Sequence, residues 1–516
     1  MTPAGAEDAR LASLSRRQVV ARGLAGAVVV ATAGCGGSAQ RVATKPTTAA
    51  APPRPRKPKR KLGPLRELAR DVRGPVLRPS TSENLVYNER FSERRPRAVV
   101  QPRDAADVQA VVRWAQRHDV PLTARSGGHS YAGYSTVAGG VVVDLRRLRA
   151  VRVTHGHVRV GAGAQLIDVH ARLARHGGML PTGSCPSVGI GGLTLGGGMG
   201  LSGRAYGLTC DNVQALTIVT PDGRLRRCDA HNDADLFWAC RGGGGGNFGV
   251  VTSFDFKPHA ARRAAWFTIA WPAGQADAAL AAWQRHAPHA PAALTSVMVI
   301  SAGAIRAFGQ YFGSEAQLHA LLRPLTNVAG AALTTGTARP LALVERWARC
   351  SDIGRAACHT IGTAPRGRLP RARFAAGSAY VERPLTAAGR RAVLAAVAPS
   401  HAGSGVLILD AYGGTINRKA PDATAFVHRS TLFSVQILTY FDARGLAAGI
   451  DWKRRATGLL RPHVSGAAYQ NYIDPDLDGW RRAYYGRNLP RLRAIRATVD
   501  PENLMRFPQS IPLAGA

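Results

Sequence analysis

The sequence predicts an α+β protein built in two parts, and three observations carry that expectation. A β-α-β unit opens the folded region and runs into a glycine loop, 125-RSGGHSY-131. A second glycine-rich stretch, 183-GSCPSVGIGGLTLGGGMG-200, follows it. From about residue 265 to 465, strand-like runs alternate with Ala- and Leu-rich helical ones, the pattern of an antiparallel sheet with helices on one side.

The chain has 516 residues, enough for two domains with ample core. Apolar content of 45% with 57 glycines describes a globular protein dense in tight turns. Residues 1–35 read as an export signal. Ser15-Arg16-Arg17-Gln18-Val19-Val20 is a twin-arginine pattern, followed by the apolar and small run Gly23–Gly34. That run is short of the ~20 residues that span a bilayer. Thr32-Ala33-Gly34-Cys35 resembles a lipoprotein cleavage box with Cys35 as the lipidated residue, although Thr32 stands where such a box carries Leu.

Residues 36–64 lack apolar periodicity and read as a basic, disordered tether that includes 54-RPRKPKRK-61. Next to a membrane, each such charge attracts anionic head groups by roughly 1 kcal/mol. One acyl chain plus a basic patch makes a stable anchor. The net charge of +36 is otherwise scattered over arginines with no aromatic-interleaved stripe, so no specific nucleic-acid partner is expected.

The folded part opens near Arg66. Residues 97–102 (RAVVQP) form a strand, and Asp104 caps a helix whose stripe is Val108, Val111, Val112 and Ala115. Pro121 to Ala124 resumes as a strand into the first glycine loop, whose backbone donors suit a pyrophosphate. Further strands are 140–145, the hairpin 151–161, 214–220 and 250–256, with Pro221-Asp222-Gly223 as a tight turn. The second region offers strands 296–300, 305–312, 374–381, 405–414 and 432–441, and helices such as 276–288 and 385–398.

Two GxGxxG matches, 198-GMGLSG-203 and 244-GGGNFG-249, lack the strand-to-helix context of a dinucleotide fold and are set aside. More telling are His129 and Cys185. Each is a nucleophilic side chain in a glycine run, where backbone can lie flush against a flat ring. Two such sites in one chain point to a flavin gripped from both sides. Seven cysteines are present, and after Cys35 and Cys185 the likeliest disulfide by proximity is Cys350 with Cys358. No Cys/His cluster has zinc spacing, so no metal is expected.

The segments 125-RSGGHSYAGYS-135, 185-CPSVGIGGLTLGGGMG-200, 204-RAYGLTCDNV-213, 241-RGGGGGNFGVVTSF-254, 469-YQNYIDPDL-477, 484-YYGRNLPRL-492 and 500-DPENLMRFPQSIP-512 resemble, in order, the FAD-linked oxidases of the berberine-bridge-enzyme-like group. That group lies within the vanillyl-alcohol-oxidase superfamily. The resemblance implies a two-part PCMH-type FAD-binding domain (65–262), a substrate domain with an antiparallel sheet flanked by helices (263–465), and a C-terminal return to the FAD domain (466–516).

It also implies FAD attached covalently through His129 and Cys185, which raises the flavin potential and fixes its pose. Arg125 and the loop Ser126, Gly127, Gly128 and Ser130 are implied to cradle the pyrophosphate. Gly191, Gly192, Gly197, Gly198 and Gly200 would lie beside the ring, and Asn247 with Val250 on the adenosine side. Tyr472 aligns with a family base, and Asp410 with the acid that carbohydrate-oxidising members pair with it. A phenol with pKa near 10 needs such help. Gln436 matches a glutamine that shapes the active site; Ser434 stands where plant members often carry Lys or Glu. Val188 matches a small residue that admits oxygen.

The expected function is an exported oxidase of an alcohol or hemiacetal carbon, sugar or oligosaccharide first, giving hydrogen peroxide. Its partners are then a small-molecule substrate and O2. An oxidase or cyclase of an aromatic or secondary-metabolite substrate stays open, as does a dehydrogenase that avoids oxygen. A tethered binding protein with a vestigial flavin domain, or a polyanion binder, is the rival outside enzymes.

Overall fold

The computed structural model describes residues 65–79, 86–398 and 404–513. The export signal, the tether and Cys35 lie outside them. Among the described residues no helix is long and apolar enough to cross a membrane.

A four-stranded sheet comes first: β1 (Val76–Leu77), β2 (Ala98–Val100), β3 (Leu122–Arg125) and β4 (Val141–Asp144), in the order β1-β2-β4-β3. β4 lies between β2 and β3 and runs parallel to both, so the β-α-β unit closes around it. The helix Ala105–Arg117 starts where expected, with the Asp104 carboxylate accepting from the N–H groups of Ala106 and Asp107. Val108, Val111, Val112 and Ala115 are all buried. Asp107, also buried, accepts from the backbone of Arg73, Gly74 and Arg103 and so ties the entering chain to the helix.

Next, β5 (Val151–Thr154), β6 (His157–Gly161), β8 (Val213–Val219), β9 (Leu225–Asp229) and β10 (Val250–Phe256) make a five-stranded antiparallel sheet, ordered β5-β6-β10-β8-β9. A short pair, β7 (Gly178–Met179) with β11 (His259–Ala260), stands beside it. One core joins these sheets, from Val100 and Val111 through Phe254 to Leu492 and Ile511. The C-terminal segment therefore packs on the first half of the chain.

The third sheet has seven strands, all antiparallel: β12 (Ala264–Trp271), β13 (Leu294–Ser301), β14 (Ala304–Tyr311), β15 (Ala332–Ala338), β16 (Arg373–Val381), β17 (Ser404–Ala411) and β18 (Phe433–Phe441). Their order is β15-β12-β14-β13-β17-β18-β16. Side chains alternate faces along each strand. One face presents Phe267, Met298, Leu407, Leu409, Val435 and Ile437 to the helices Ala276–His286, Glu315–Thr326, Ala387–Ala396 and Leu446–Leu460. The opposite face carries Val297, Phe308, Phe374, Ile408 and Leu438, and it packs against Leu201 and Tyr131 of the glycine-loop region. The sequence expectation covers five of these strands and omits β12 and β15. It also runs β17 to residue 414, whereas Gly413 and Gly414, at φ +92° and +55°, turn the chain away after Ala411.

Buried charges clasp the halves together. Arg204 is fully buried and has no carboxylate partner among its hydrogen bonds. Its guanidinium donates to the carbonyls of Leu294 (2.7 Å), Pro288 (2.9 Å), Ala290 and Tyr412, and burial lowers its pKa to about 10. Arg429 forms a two-pronged pair with Asp211, at 2.9 and 2.8 Å, with both side chains buried. Removing one partner of such a pair costs about 3–5 kcal/mol.

A strap after the helix Pro340–Ala348 joins the halves at another edge. Cys350 and Cys358 are disulfide-bonded and pack on Ile167. The neighbouring His359 Nε2 lies 3.2 Å from both oxygens of Asp168. The hydrogen bond to Asp168 raises the His359 pKa above its usual value, against opposing burial and the Arg149 charge. This contact stabilises the strap fully below about pH 6.5, the ordinary histidine value, and the contribution is lost as pH rises through the raised value. Amide exchange over 349–372, corrected for its intrinsic pH dependence, should accelerate on the alkaline side. Asp168→Asn should abolish that pH response; an unchanged response in this variant would refute the assignment.

Candidate active site

The two glycine stretches lie directly on one another. A Cβ built on Gly127 would fall 2.3 Å from the Gly189 nitrogen, and one on Gly189 would strike Ser126 Oγ. Neither position tolerates a side chain. Ser126 Oγ donates to the Ala162 carbonyl at 2.5 Å, and Gly191 N–H donates to the same carbonyl at 3.2 Å. Arg125, buried at the end of β3, donates to Asp144 at the end of β4 (2.9 Å) and sets where the first loop leaves the sheet.

Other glycines in the same region face open space, which is what a flat ligand needs. A Cβ at Gly192 would meet nothing within 4 Å. One at Gly245 would meet only Gly192 Cα and Leu195 at 3.8–4.0 Å, and one at Gly246 only Phe507 at 3.6 Å. Gly192, Gly245 and Gly246 therefore present bare backbone on their open side, a surface along which a planar cofactor can lie. Gly198, at φ +86°, turns its N–H onto the Tyr469 hydroxyl oxygen (2.8 Å). Gly197 and Gly200 are closed in by Phe426 and by the Thr182 carbonyl.

His129 sits half-buried at one end of the cradle. Its ring stacks on Tyr87 (centroids 4.0 Å, 15°), and Nε2 lies 3.0 Å from Ser187 Oγ. Burial lowers its pKa to about 3, so the imidazole is neutral at working pH and keeps a lone pair. Nε2 is the ring nitrogen engaged by Ser187. Cys185 is a half-buried thiol two residues before Ser187, so both nucleophiles belong to the contact between the loops. Val188 packs against the core, and Val250 is fully buried at the start of β10. Ser130 Oγ accepts from Tyr134 N–H, and Gly128 O accepts from Tyr87 N–H at 2.8 Å. Asn247 is buried too. Its side chain donates to Gly243 O and accepts from Ile511 N–H (2.9 Å) and Arg496 (3.3 Å), fastening the chain end to the glycine strip.

Tyr472 ends a short 3-10 turn, Gln470–Tyr472, whose neighbours are all tied down. Gln470 donates to Gly242 O, Asn471 to Leu193 O (2.9 Å), and Asp474 is ion-paired with Lys453 (2.7 Å). The half-buried Tyr472 ring stacks parallel on Tyr131 (5.3 Å, 6°) and edge-on against Tyr469 (4.9 Å, 75°). The Tyr131 hydroxyl in turn accepts from Gln436 Nε2 at 2.6 Å.

Gln436 and Asp410 come from adjacent strands and the same sheet face. Asp410 is directly opposite Ser434 in the β17–β18 pairing, and Ser434 Oγ donates to it at 3.4 Å. Burial, then the Asp410 charge, then Tyr131 raise the Tyr472 pKa well above its ordinary value. The Tyr472 phenol is thus neutral at working pH. Such a phenol can accept a proton only while passing one on.

The structure brings Tyr472 and Gln436 together through Tyr131, with the Asp410 charge acting on the phenol. It places His129 two residues from Tyr131. Four contributors escape the sequence reading: Tyr131, Ser187, Tyr87 and Asn88. Asn88, buried, donates to Tyr131 O and to Phe374 O and so staples the His129 loop to the sheet. Tyr87 and Asn88 stand in a stretch without any pattern.

Comparison with known proteins adds two family matches, one described as an FAD binding domain over residues 96–229 and one as berberine and berberine like over residues 468–512. The chain is 34% identical over 430 residues to an uncharacterized FAD-linked oxidoreductase, YgaK, of Bacillus subtilis, which spans 81% of this chain and 92% of that one. It is 32% identical over 457 residues to a chitooligosaccharide oxidase of Gibberella zeae, covering 83% and 89%. Among solved structures, Physcomitrella patens BBE-like 1 superposes with a TM-score of 0.81 at 30% identity, covering 88% of this chain and 99% of that one.

Proposed function

The chain belongs to the berberine-bridge-enzyme-like family of FAD-linked oxidoreductases, with FAD as its cofactor, and from that premise we propose that it is an exported oxidase of sugars or oligosaccharides. Its site takes a hydride from an alcohol or hemiacetal carbon, and the electrons pass to oxygen to give hydrogen peroxide. The observation that carries this reading is Tyr472, a phenol held by its stacking on Tyr131 and lying within the electrostatic reach of Asp410.

FAD, when bound, supplies the hydride acceptor and the route to oxygen. The strip of Gly191, Gly192 and Gly244–Gly246 would hold its flat part, and the loop Ser126 to Ser130 its pyrophosphate. His129 and Cys185 would attach it covalently, the neutral imidazole acting through its lone pair. Tyr472 takes the substrate hydroxyl proton as its own proton moves to Asp410; neither step leaves a free phenolate next to a carboxylate. Ser434 holds the Asp410 carboxylate, and Tyr131 fixes the Gln436 amide in the same site.

Three features support the finer parts of this reading. The relative named for chitooligosaccharide oxidation shares 32% of aligned residues. Val188 is small where a Leu would crowd the approach of oxygen. The twin-arginine pattern and the box ending in Cys35 support export, with the lipidated Cys35 and basic segment 36–64 as a membrane anchor.

A peroxide-release screen over monosaccharides, oligosaccharides, simple alcohols and aromatic alcohols tests the proposal. Peroxide matching oxidised sugar one for one is the expected result. Peroxide from aromatic compounds alone overturns the substrate class. Substrate-reduced flavin that persists in air overturns the oxidase.

A further inference from the structure

Tyr472 and its partners reach the site from different parts of the chain. Asp410 and Gln436 stand on β17 and β18, whereas Tyr472 lies in the C-terminal segment, which packs on the first half of the chain. Ties between that segment and the seven-stranded sheet therefore decide where the phenol sits. Ahead of Tyr472 the tie is an uncharged one: Tyr469 N–H donates to Ser378 Oγ on β16 at 2.9 Å, and Ser378 is directly opposite Gln436. Behind it, the tie is a buried lysine. Lys453, on the helix Leu446–Leu460, donates to both oxygens of Asp474, at 2.7 and 2.8 Å, and lies 3.1 Å from Asp476.

We propose that Lys453 is a positioning residue for the oxidation: through Asp474, two residues after Tyr472, it sets where the Tyr472 hydroxyl lies relative to Asp410 and Gln436. The inference rests on Tyr472 as the base and adds the residue that places it. Each end of the clamp is fixed. At the sheet end, Trp452, next to Lys453, shares one core with Leu409 of β17 and with Val435 and Ile437 of β18, the strands that carry Asp410 and Gln436. A Cβ on Gly405 of β17 would fall onto the Trp452 indole, so the helix lies tight against that strand. At the turn end, Asp474 N–H donates to Tyr484 Oη at 2.9 Å, and Asp474 O accepts from Gln509 Nε2 at 2.7 Å.

The pair itself has little freedom. Lys453 and Asp474 are both buried, and β16 makes room for the carboxylate with a glycine: a Cβ on Gly377 would come within 2.8 Å of Asp474 Oδ2. Asp476 is partly exposed and also faces Arg454 at 3.8 Å, which leaves Asp474 as the buried partner of the ammonium. An exposed ion pair moves among many geometries, whereas a desolvated one holds its charges only where they meet. Small displacements of a reacting group are costly, about a hundredfold for roughly 1 Å. A clamp two residues from the phenol is close enough to cause one.

The test is a double-mutant cycle read in anaerobic flavin reduction of the holoenzyme by cellobiose, diacetylchitobiose or xylobiose. Lys453→Met should lower the limiting reduction rate at least about tenfold, with the half-saturating sugar concentration and the flavin spectrum unchanged. In a Tyr472→Phe background the same substitution should have no further effect, because the group it places is gone. Lys453→Met/Asp474→Asn, which also removes the stranded carboxylate, should repeat the loss and guards against misfolding of the single variant. An equal loss in both backgrounds marks a general structural clasp and overturns the proposal, as does a native rate in Lys453→Met. If none of the sugars reduces the flavin, the sugar reading fails; if Tyr472→Phe is reduced at the native rate, the base reading fails. In either case amide exchange over 469–476 decides the clamp: faster exchange confined to that turn in Lys453→Met/Asp474→Asn supports it, and unchanged exchange overturns it.

Discussion

Tyr472→Phe should slow anaerobic reduction of the bound flavin by an oxidisable sugar roughly 10²–10⁴-fold, the usual worth of a positioned general base. Flavin absorbance before mixing should be unchanged. The phenylalanine ring keeps the stacking on Tyr131 and the edge contact with Tyr469, and no hydrogen bond of the turn depends on the hydroxyl. The loss is thus chemical rather than structural. It should appear in the reduction rate at saturating sugar rather than in apparent affinity. A variant reduced at the native rate would place the base elsewhere.

The second large effect concerns attachment. After acid denaturation and centrifugation, the native protein should carry its yellow colour into the pellet. His129→Ala and Cys185→Ala should each still do so, through the one remaining bond. The double variant should leave all pigment in the supernatant. The grounds are local: a neutral imidazole steered by Ser187 and a half-buried thiol two residues before that serine. A colourless native pellet refutes covalent attachment altogether, and a colourless pellet from one single variant shows that only that residue forms the bond.

Much of the fold is visible in the amino-acid order because its signals are local. The stretch 250–256 is rich in valine, threonine and phenylalanine and forms β10 over those same positions. Asp104 caps its helix because a short carboxylate reaches the first free N–H groups. By contrast, β15 is Ala-Leu-Thr-Thr-Gly-Thr-Ala, an edge strand whose strand-favouring threonines are interspersed with alanine and glycine and lack apolar alternation, and it pairs with the free edge of β12. β12 itself opens on two alanines.

The site divides in the same way. His129 and Cys185 stand out because each lies in its own glycine run. The grouping of Tyr472, Gln436 and Asp410 depends on β17–β18 register and on a turn some distance along the chain. Such placement follows from tertiary packing, and motif resemblance supplied it where spacing had no means to. Tyr87 and Asn88 act through contacts to residues more than forty and nearly three hundred positions away, such as Tyr131 and Phe374, and no local pattern encodes those.

The link from Asn247 to the amide of Ile511 bears on how the molecule matures. The glycine strip begins with residue 126, and one of its latches comes from a residue 264 positions beyond Asn247. A fragment that stops short of Ile511 therefore lacks part of the berth for its prosthetic group, and cofactor loading should require the segment around residue 511.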